Sequence, residues 1–422
     1  MRLPIVFTRQ PRRPRTADLR VGFFGVLGAG SLGNDGCLDA IVNYLREYHP
    51  DVKLRFLVMG PTRMEERYGA PATSLQWYEA NLERFQSVPS PVLKIIGRIL
   101  DPFRALLWTR EVDLAIVPGM GVLETTIPMR PWGFPYGLYT VCAAARISGT
   151  RVAMVCVGAD VIHKRISRML ITGAARLAHY RSYRDHNSLE AMRTMGIDVD
   201  DDRVYPDLAF GHPVPSTAPD GSGTVGLGLM DYWGNNDERA QADRLRESYI
   251  GTMTQFAGWL LDHGRPIRFL LCDPVDTTVI NRVIDDLRSV RPELPASMII
   301  FEPAETLQAL MKQMAGVDAV VATRYHNVVS AVQLGLPTIS ISYSRKHDEV
   351  MSRMGLREFC QPARSVDFAR LVQQFTDLER RSDVLTGLMS NANEQNVKEV
   401  QQQYAAVSAL LASARTGSAA TS

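Results

Sequence analysis

Val21-Gly22-Phe23-Phe24-Gly25-Val26, the loop Gly28-Ala29-Gly30-Ser31-Leu32-Gly33-Asn34-Asp35-Gly36, then Leu38, Ile41, Val42 and Leu45 lead into Lys53 to Met59. The order of these pieces decides the fold. A short apolar run suits a strand buried on both faces. Apolar residues three and four apart suit a helix. Together they make a strand, glycine loop, helix and strand, the unit of a parallel sheet. Val112 to Val117 and Arg151 to Val157 repeat the strand signal, with a helix over Leu138 to Ile147 between them.

The pattern breaks at His212 to Gly223, rich in Pro, Ser, Gly and Thr, and then restarts. Strands are expected at Thr224 to Met230, Pro266 to Cys272, Ser297 to Phe301, Val317 to Ala322 and Thr338 to Tyr343. Helices are expected at Asp237 to His263, Thr277 to Val290, Ala304 to Ala315 and Asn327 to Leu334. Two alternating halves imply an α/β protein of two Rossmann-like domains facing a cleft. The expected division is a flexible basic arm over 1–20, an N-terminal domain over 21–211 and a linker over 212–223. A C-terminal domain with a helical tail covers 224–412, and a disordered tail 413–422.

Lys+Arg total 47 and Asp+Glu 45 among 422 residues, for a formal charge of +2. That balance excludes a general nucleic-acid binder, which needs a basic excess. The five cysteines are scattered, with no C-x-x-C pair and no zinc spacing. They read as free thiols in a reducing compartment, and the expected location is the cytoplasm. Val92 to Trp108 mixes isoleucines, Phe103 and Trp108 with Lys94, Arg98 and Arg104. One reading is a helix packed on the first domain. The other is an amphipathic segment touching the inner face of a membrane.

Ligands of open α/β sheets bind beyond the carboxyl ends of strands, so the chemistry is sought there. Gly28, Gly30 and Gly33 match G-x-G-x-x-G, yet the second strand ends Leu57-Val58-Met59-Gly60 without the carboxylate that holds a dinucleotide's ribose. Nicotinamide chemistry is therefore disfavoured. Asn34 and Asp35 either cap the following helix or contact an acceptor. Pro118-Gly119-Met120-Gly121 permits close backbone approach to a ligand, and Gly119 and Gly121 are assigned to donor binding. Thr323-Arg324-Tyr325-His326-Asn327 follows a strand and opens a helix. Arg324, His326 and Asn327 there suit a phosphate or carboxylate. Lys346, one of only six lysines, follows the neighbouring strand. Arg184 offers a guanidinium from the first domain.

These motifs resemble the polysaccharide pyruvyl transferase family. The shared elements are Gly33-Asn34-Asp35-Gly36, Asp113 with Pro118-Gly119-Met120-Gly121, and Arg184-Asp185-His186-Asn187-Ser188. They continue with Pro206-Asp207, Arg324-Tyr325-His326 and Tyr343-Ser344-Arg345-Lys346. They run in family order from about Val21 to Leu356. Two places depart from it: Leu229-Met230-Asp231 stands where many members carry an arginine, and Met120 interrupts a glycine triplet.

The resemblance implies a glycosyltransferase-B-type fold and transfer of the enolpyruvyl unit of phosphoenolpyruvate to two hydroxyls of a saccharide or lipid-linked glycan. The product is a cyclic pyruvate ketal of a cell-envelope polysaccharide, and phosphate is released. In that reading Arg184, Arg324 and Lys346 hold the donor and His326 is the general acid. No metal or other cofactor is expected. The main alternative is a nucleotide-sugar glycosyltransferase of the same fold, with Asp273 or Glu302 gripping the ribose. A third reading is a non-catalytic binder of anionic saccharides.

Overall fold

The computed structural model of the chain describes residues 18–124, 130–216, 221–234 and 236–419. The arm expected over 1–20 lies outside them except for its last three residues. The N-terminal half contains β1 (Arg20–Gly25), α1 (Leu32–Tyr48), β2 (Lys53–Val58), α2 (Pro61–Tyr68), β3 (Ala72–Ser74), α3 (Trp77–Asn81) and α4 (Ser90–Arg110). It continues with β4 (Leu114–Pro118), α5 (Phe134–Ser148), β5 (Arg151–Val157), α6 (Arg165–Leu177), β6 (Tyr180–Tyr183), α7 (His186–Thr194) and β7 (Arg203–Val204). The second half contains β8 (Val225–Gly228), α8 (Ala242–Asp262), β9 (Ile267–Phe269), α9 (Thr277–Val290), β10 (Ile299–Phe301), α10 (Leu307–Met314) and β11 (Ala319–Ala322). Then come α11 (Tyr325–Gln333), β12 (Thr338–Ser342), α12 (Arg345–Arg353), β13 (Cys360–Pro362), α13 (Phe368–Arg380) and α14 (Ser382–Ala419).

The strands form two all-parallel sheets, ordered β3-β2-β1-β4-β5-β6-β7 and β10-β9-β8-β11-β12-β13. Each is a doubly wound sheet whose order reverses beside its first strand, where a crevice opens at the carboxyl ends. Central strands such as β4, β5 and β11 are almost wholly buried, because helices cover both faces.

Glycine brings the halves together. The backbone N–H of Leu32 donates to the carbonyl of Cys272 across the domains at 3.0 Å. A Cβ on Gly36 would stand 2.5 Å from Leu307 of α10, and one on Gly33 only 1.9 Å from His326 Nδ1. These glycines of α1 therefore serve close packing on the second domain. The linker is anchored where it starts: His212 donates through Nε2 to the Gly36 carbonyl at 2.8 Å, and Gln333 donates to the His212 carbonyl.

Three elements differ from expectation. The helix expected from Asp237 begins only at Ala242, after a 3-10 stretch over Asn236–Gln241. Tyr180–Tyr183 is a strand too short and too polar to show as one in sequence. The tail expected to be disordered over 413–422 is helical as far as Ala419, with Ala414 buried. Earlier in the same helix, polar residues find partners in the first domain. Gln403 accepts from Ser182 Oγ at 2.6 Å, and Ser408 lies 2.6 Å from the Tyr44 hydroxyl. Tyr404 stacks on Tyr44 at 4.4 Å.

Candidate active site

Where β1, β4 and β6 face β8, β11 and β12, charged side chains converge. Arg184 leaves the end of β6 and donates to one oxygen of Glu124, which follows β4. Lys346, in the first turn of α12, donates to the other Glu124 oxygen at 2.9 Å. One carboxylate thus holds a cation from each domain. Burial alone would raise the Glu124 carboxyl, but the two positive charges outweigh it and hold it down at about 2. Gly121 and Gly158 make room for the cluster. A Cβ on Gly121 would stand 2.7 Å from the Glu124 carboxylate, and one on Gly158 only 2.2 Å from Oε1.

Tyr325 forms a floor, with the Arg184 guanidinium 4.8 Å and Lys346 Nζ 5.3 Å from its ring centre. Such cation–π contacts favour the charged forms. Asp207 completes the first-domain side. Its Oδ2 lies 3.5 Å from Arg184 Nη1 and 3.8 Å from His326 Nε2, and its Oδ1 accepts from the Cys37 thiol at 3.2 Å. Burial pushes the Cys37 thiol well up, and neighbouring Asp207 adds to the effect.

His326 opens α11, whose terminus caps the crevice. Burial lowers its imidazole to about 4, Arg184 and Lys346 push the same way, and Asp207 and Glu124 oppose them. In the donor-free protein the ring is therefore neutral at pH 7. The general-acid role expected for His326 thus needs the ring to gain a proton first. Its side chain keeps 11% exposure, against 19% for Arg324 and 9% for Lys346, so all three still reach solvent.

Arg324 stands apart from this group. It donates through Nε and Nη2 to the two oxygens of Asp276 at 2.6 and 2.7 Å. Asp276 is wholly buried and also accepts from the Asp231 backbone N–H. The guanidinium is held by a carboxylate of its own domain, whereas Lys346 holds one of the other.

Four residues assigned from sequence to ligand contact do other work. Asn327 is fully buried and donates through Nδ2 to the Leu270 carbonyl at 3.1 Å, bracing the ends of β8 and β9. Gly119, at φ +33°, packs on Cys37 and Leu208. Asp35 is buried and accepts from the Gly28 N–H at 2.8 Å, closing the glycine loop on itself. Asn34 donates to the Val26 carbonyl. Neither caps α1, whose N-cap is Ser31.

Sequence reasoning missed Glu124 and Cys37, and passed over Asp207 although it lies in a quoted stretch. Glu124 lies three residues beyond Gly121, past the carboxyl end of β4, and its two cations come from distant positions in the chain. As metal donors, Cys37, Asp207 and His326 each offer an atom within 4.8 Å of the others. A cation there would need the thiol to ionise and would face the Arg184 guanidinium, so the donor set is a poor match for one.

Two Rossmann-like domains facing a crevice make a glycosyltransferase-B-type architecture. Solved structures agree on the fold. Anabaena HepE in complex with UDP-glucose is 14% identical with a TM-score of 0.57, covering 94% of this chain and 100% of that one. UDP-GlcNAc 2-epimerase from Methanocaldococcus jannaschii is 12% identical with a TM-score of 0.54, covering 86% and 93%. No curated protein matches. The family model for polysaccharide pyruvyl transferase matches residues 32–345, and the chain belongs to that family of transferases.

Proposed function

We propose that the protein transfers the enolpyruvyl unit of phosphoenolpyruvate to two hydroxyls of a saccharide acceptor, releasing phosphate and leaving a cyclic ketal. The observation that carries this reading is the convergence of Arg184 and Lys346, from different domains, on a single carboxylate. A pair of cations spaced for one carboxylate suits a donor bearing a carboxylate and a phosphate on a three-carbon skeleton. Binding requires Glu124 to give up at least one of its two partners.

The donor's negative charge then raises the basicity of His326, since like a neighbouring carboxylate it favours the imidazolium. His326 delivers its proton to the methylene carbon as the first hydroxyl attacks the adjacent carbon. Phosphate leaves with its bonding electron pair, stabilised by Lys346. The second hydroxyl closes the ring. Of the two hydroxyl protons, one restores the imidazolium's loss and the other leaves with phosphate.

Phosphate release from phosphoenolpyruvate over a panel of glycan acceptors tests the proposal, with nucleotide release from sugar nucleotides as the parallel arm. Acceptor-dependent phosphate release is expected. Nucleotide release instead would favour the glycosyltransferase reading, and binding without product the saccharide-binder reading. Against the glycosyltransferase stands the engagement of its candidate ribose ligands: Glu302 pairs with Arg268 at 2.8 Å, and Asp273 caps the turn at Val275.

A further inference from the structure

A helix on the surface of a globular protein turns its apolar stripe to the core and its charges to water. α4 buries Leu93, Ala105 and Trp108 in this way, yet it carries a second apolar stripe that faces out. Ile95, Ile99, Phe103 and Leu107 are 56%, 62%, 64% and 60% exposed, and with Val92 and Ile96 they form one outward stripe. At 3.6 residues per turn these six positions fall within an arc of about 120°. The inward side carries Lys94, Asp101 and Arg104, which line a cavity of about 210 Å³ between α4 and the start of α5. Lys94 lies over Tyr78 at 5.1 Å on the inward side, and Arg98 over Trp132 at 5.7 Å nearer the stripe. Single exposed apolar residues are ordinary, but a contiguous stripe over four turns marks a contact surface.

Charge selects the occupant. α4, α5 and α6 lie side by side and, apart from the inward Lys94, Asp101 and Arg104, carry Arg98, Arg110, Arg146, Arg165, Arg168 and Arg176 with no acidic side chain among them. The whole chain is nearly balanced, so the excess is local. A second copy of the chain would bring the same basic layer against itself, because a two-fold contact pairs each patch with its own image. An anionic bilayer satisfies both features: the stripe enters the acyl boundary and the cations meet the headgroups. α6 adds Ile166 and Met169, 44% and 63% exposed, each directly after an arginine, Arg165 and Arg168. No helix among the described residues is long and apolar enough to cross a membrane.

We infer that the outward face of α4, with the basic layer it shares with α5 and α6, docks the protein on the surface of an anionic lipid bilayer. Phe24 and Leu57, at the carboxyl ends of β1 and β2, line the cavity behind that face. Glu124 and Arg184 sit on the same edge of the same sheet. Docking therefore brings the crevice alongside the bilayer, whatever donor it takes.

The test is cosedimentation of the full chain with vesicles of phosphatidylcholine, alone or mixed with phosphatidylglycerol. The expected result is binding to the mixed vesicles, at least about tenfold weaker on neutral vesicles and weakened by high salt. Ile99→Glu with Phe103→Glu should abolish it at unchanged melting temperature, since both side chains face water. Arg98→Glu with Arg110→Glu, both exposed, supplies a second variant that leaves the apolar stripe intact and should weaken binding to the mixed vesicles alone. Equal partition to the two vesicle types, or none to either, overturns the inference. So does a dimer in sedimentation that the Ile99 and Phe103 substitutions dissolve, because the face would then join two copies.

Discussion

Glu124 and Asp276 are both buried carboxylates that hold arginine, and they are arranged to opposite ends. Asp276 and Arg324 meet fork to fork inside one domain, with every strong contact short and satisfied. Glu124 is stretched between Arg184 of its own domain and Lys346 of the other. An intradomain fork holds a local turn, here the loop before α9 against the start of α11. A carboxylate shared across the crevice holds the domains together and can be exchanged for another anion of similar shape. Two arginines that look alike in sequence are thus assigned different work by their partners.

The largest expected effect lies on the Glu124 side. His326→Ala should lower acceptor-dependent phosphate release by about 10²–10⁴-fold while donor binding, followed by calorimetry, changes little. Unchanged turnover would remove His326 from the mechanism.

Glu124→Gln leaves two buried cations without their counter-charge and should cost about 3–5 kcal/mol in urea unfolding. Asp276→Asn should cost a similar amount. The comparison predicts a difference in rescue: phosphoenolpyruvate or inorganic phosphate should restore much of the loss in Glu124→Gln and none in Asp276→Asn. Equal rescue would erase the distinction drawn between the two carboxylates.

A smaller effect separates the cations. Lys346→Met should weaken donor binding about tenfold or more. Arg324→Ala should act chiefly on stability, by stranding Asp276. A loss of donor affinity in Arg324→Ala at unchanged melting temperature would return Arg324 to the donor site.

A graded effect is expected in pH. The folded protein holds His326 at about 4, below the ordinary value of 6.5. Between those values the unfolded chain binds the extra proton, so stability should fall as pH drops from 6.5 to 4, by at most about 3 kcal/mol from this residue. His326→Gln should flatten that slope. Donor binding at pH 7 should take up protons, read as a dependence of binding enthalpy on the buffer, and the same substitution should abolish the uptake.

The alternation of apolar runs with helical spacing made both sheets legible, because strands buried on both faces must be apolar throughout. α9 was read to the residue. β3, β6, β7 and β13 escaped, being two to four residues long and partly polar at the sheet edges. Among site residues, Arg184, His326 and Lys346 were legible as rare, charged positions beyond strand ends. Glu124 was not, because nothing local marks a carboxylate whose partners lie 60 and 222 positions away. The glycines were visible but misread: sequence shows that a residue lacks a side chain, not which neighbour fills the space. At Gly33 the neighbour is an imidazole, at Gly121 a carboxylate.

The 38-residue α14 starts against α11 and α12, where Asn393 donates to the Val332 carbonyl, and ends on the first domain, where Ser408 meets His49. The chain therefore passes between its lobes twice, at 212–223 and along this rod. A body joined to another at two separate places swings like a door on two pins: opening is confined to rotation about the line through them. Two attachments thus hold Lys346 in register with Glu124 across the crevice. Cutting the peptide at the first crossing should leave the halves attached.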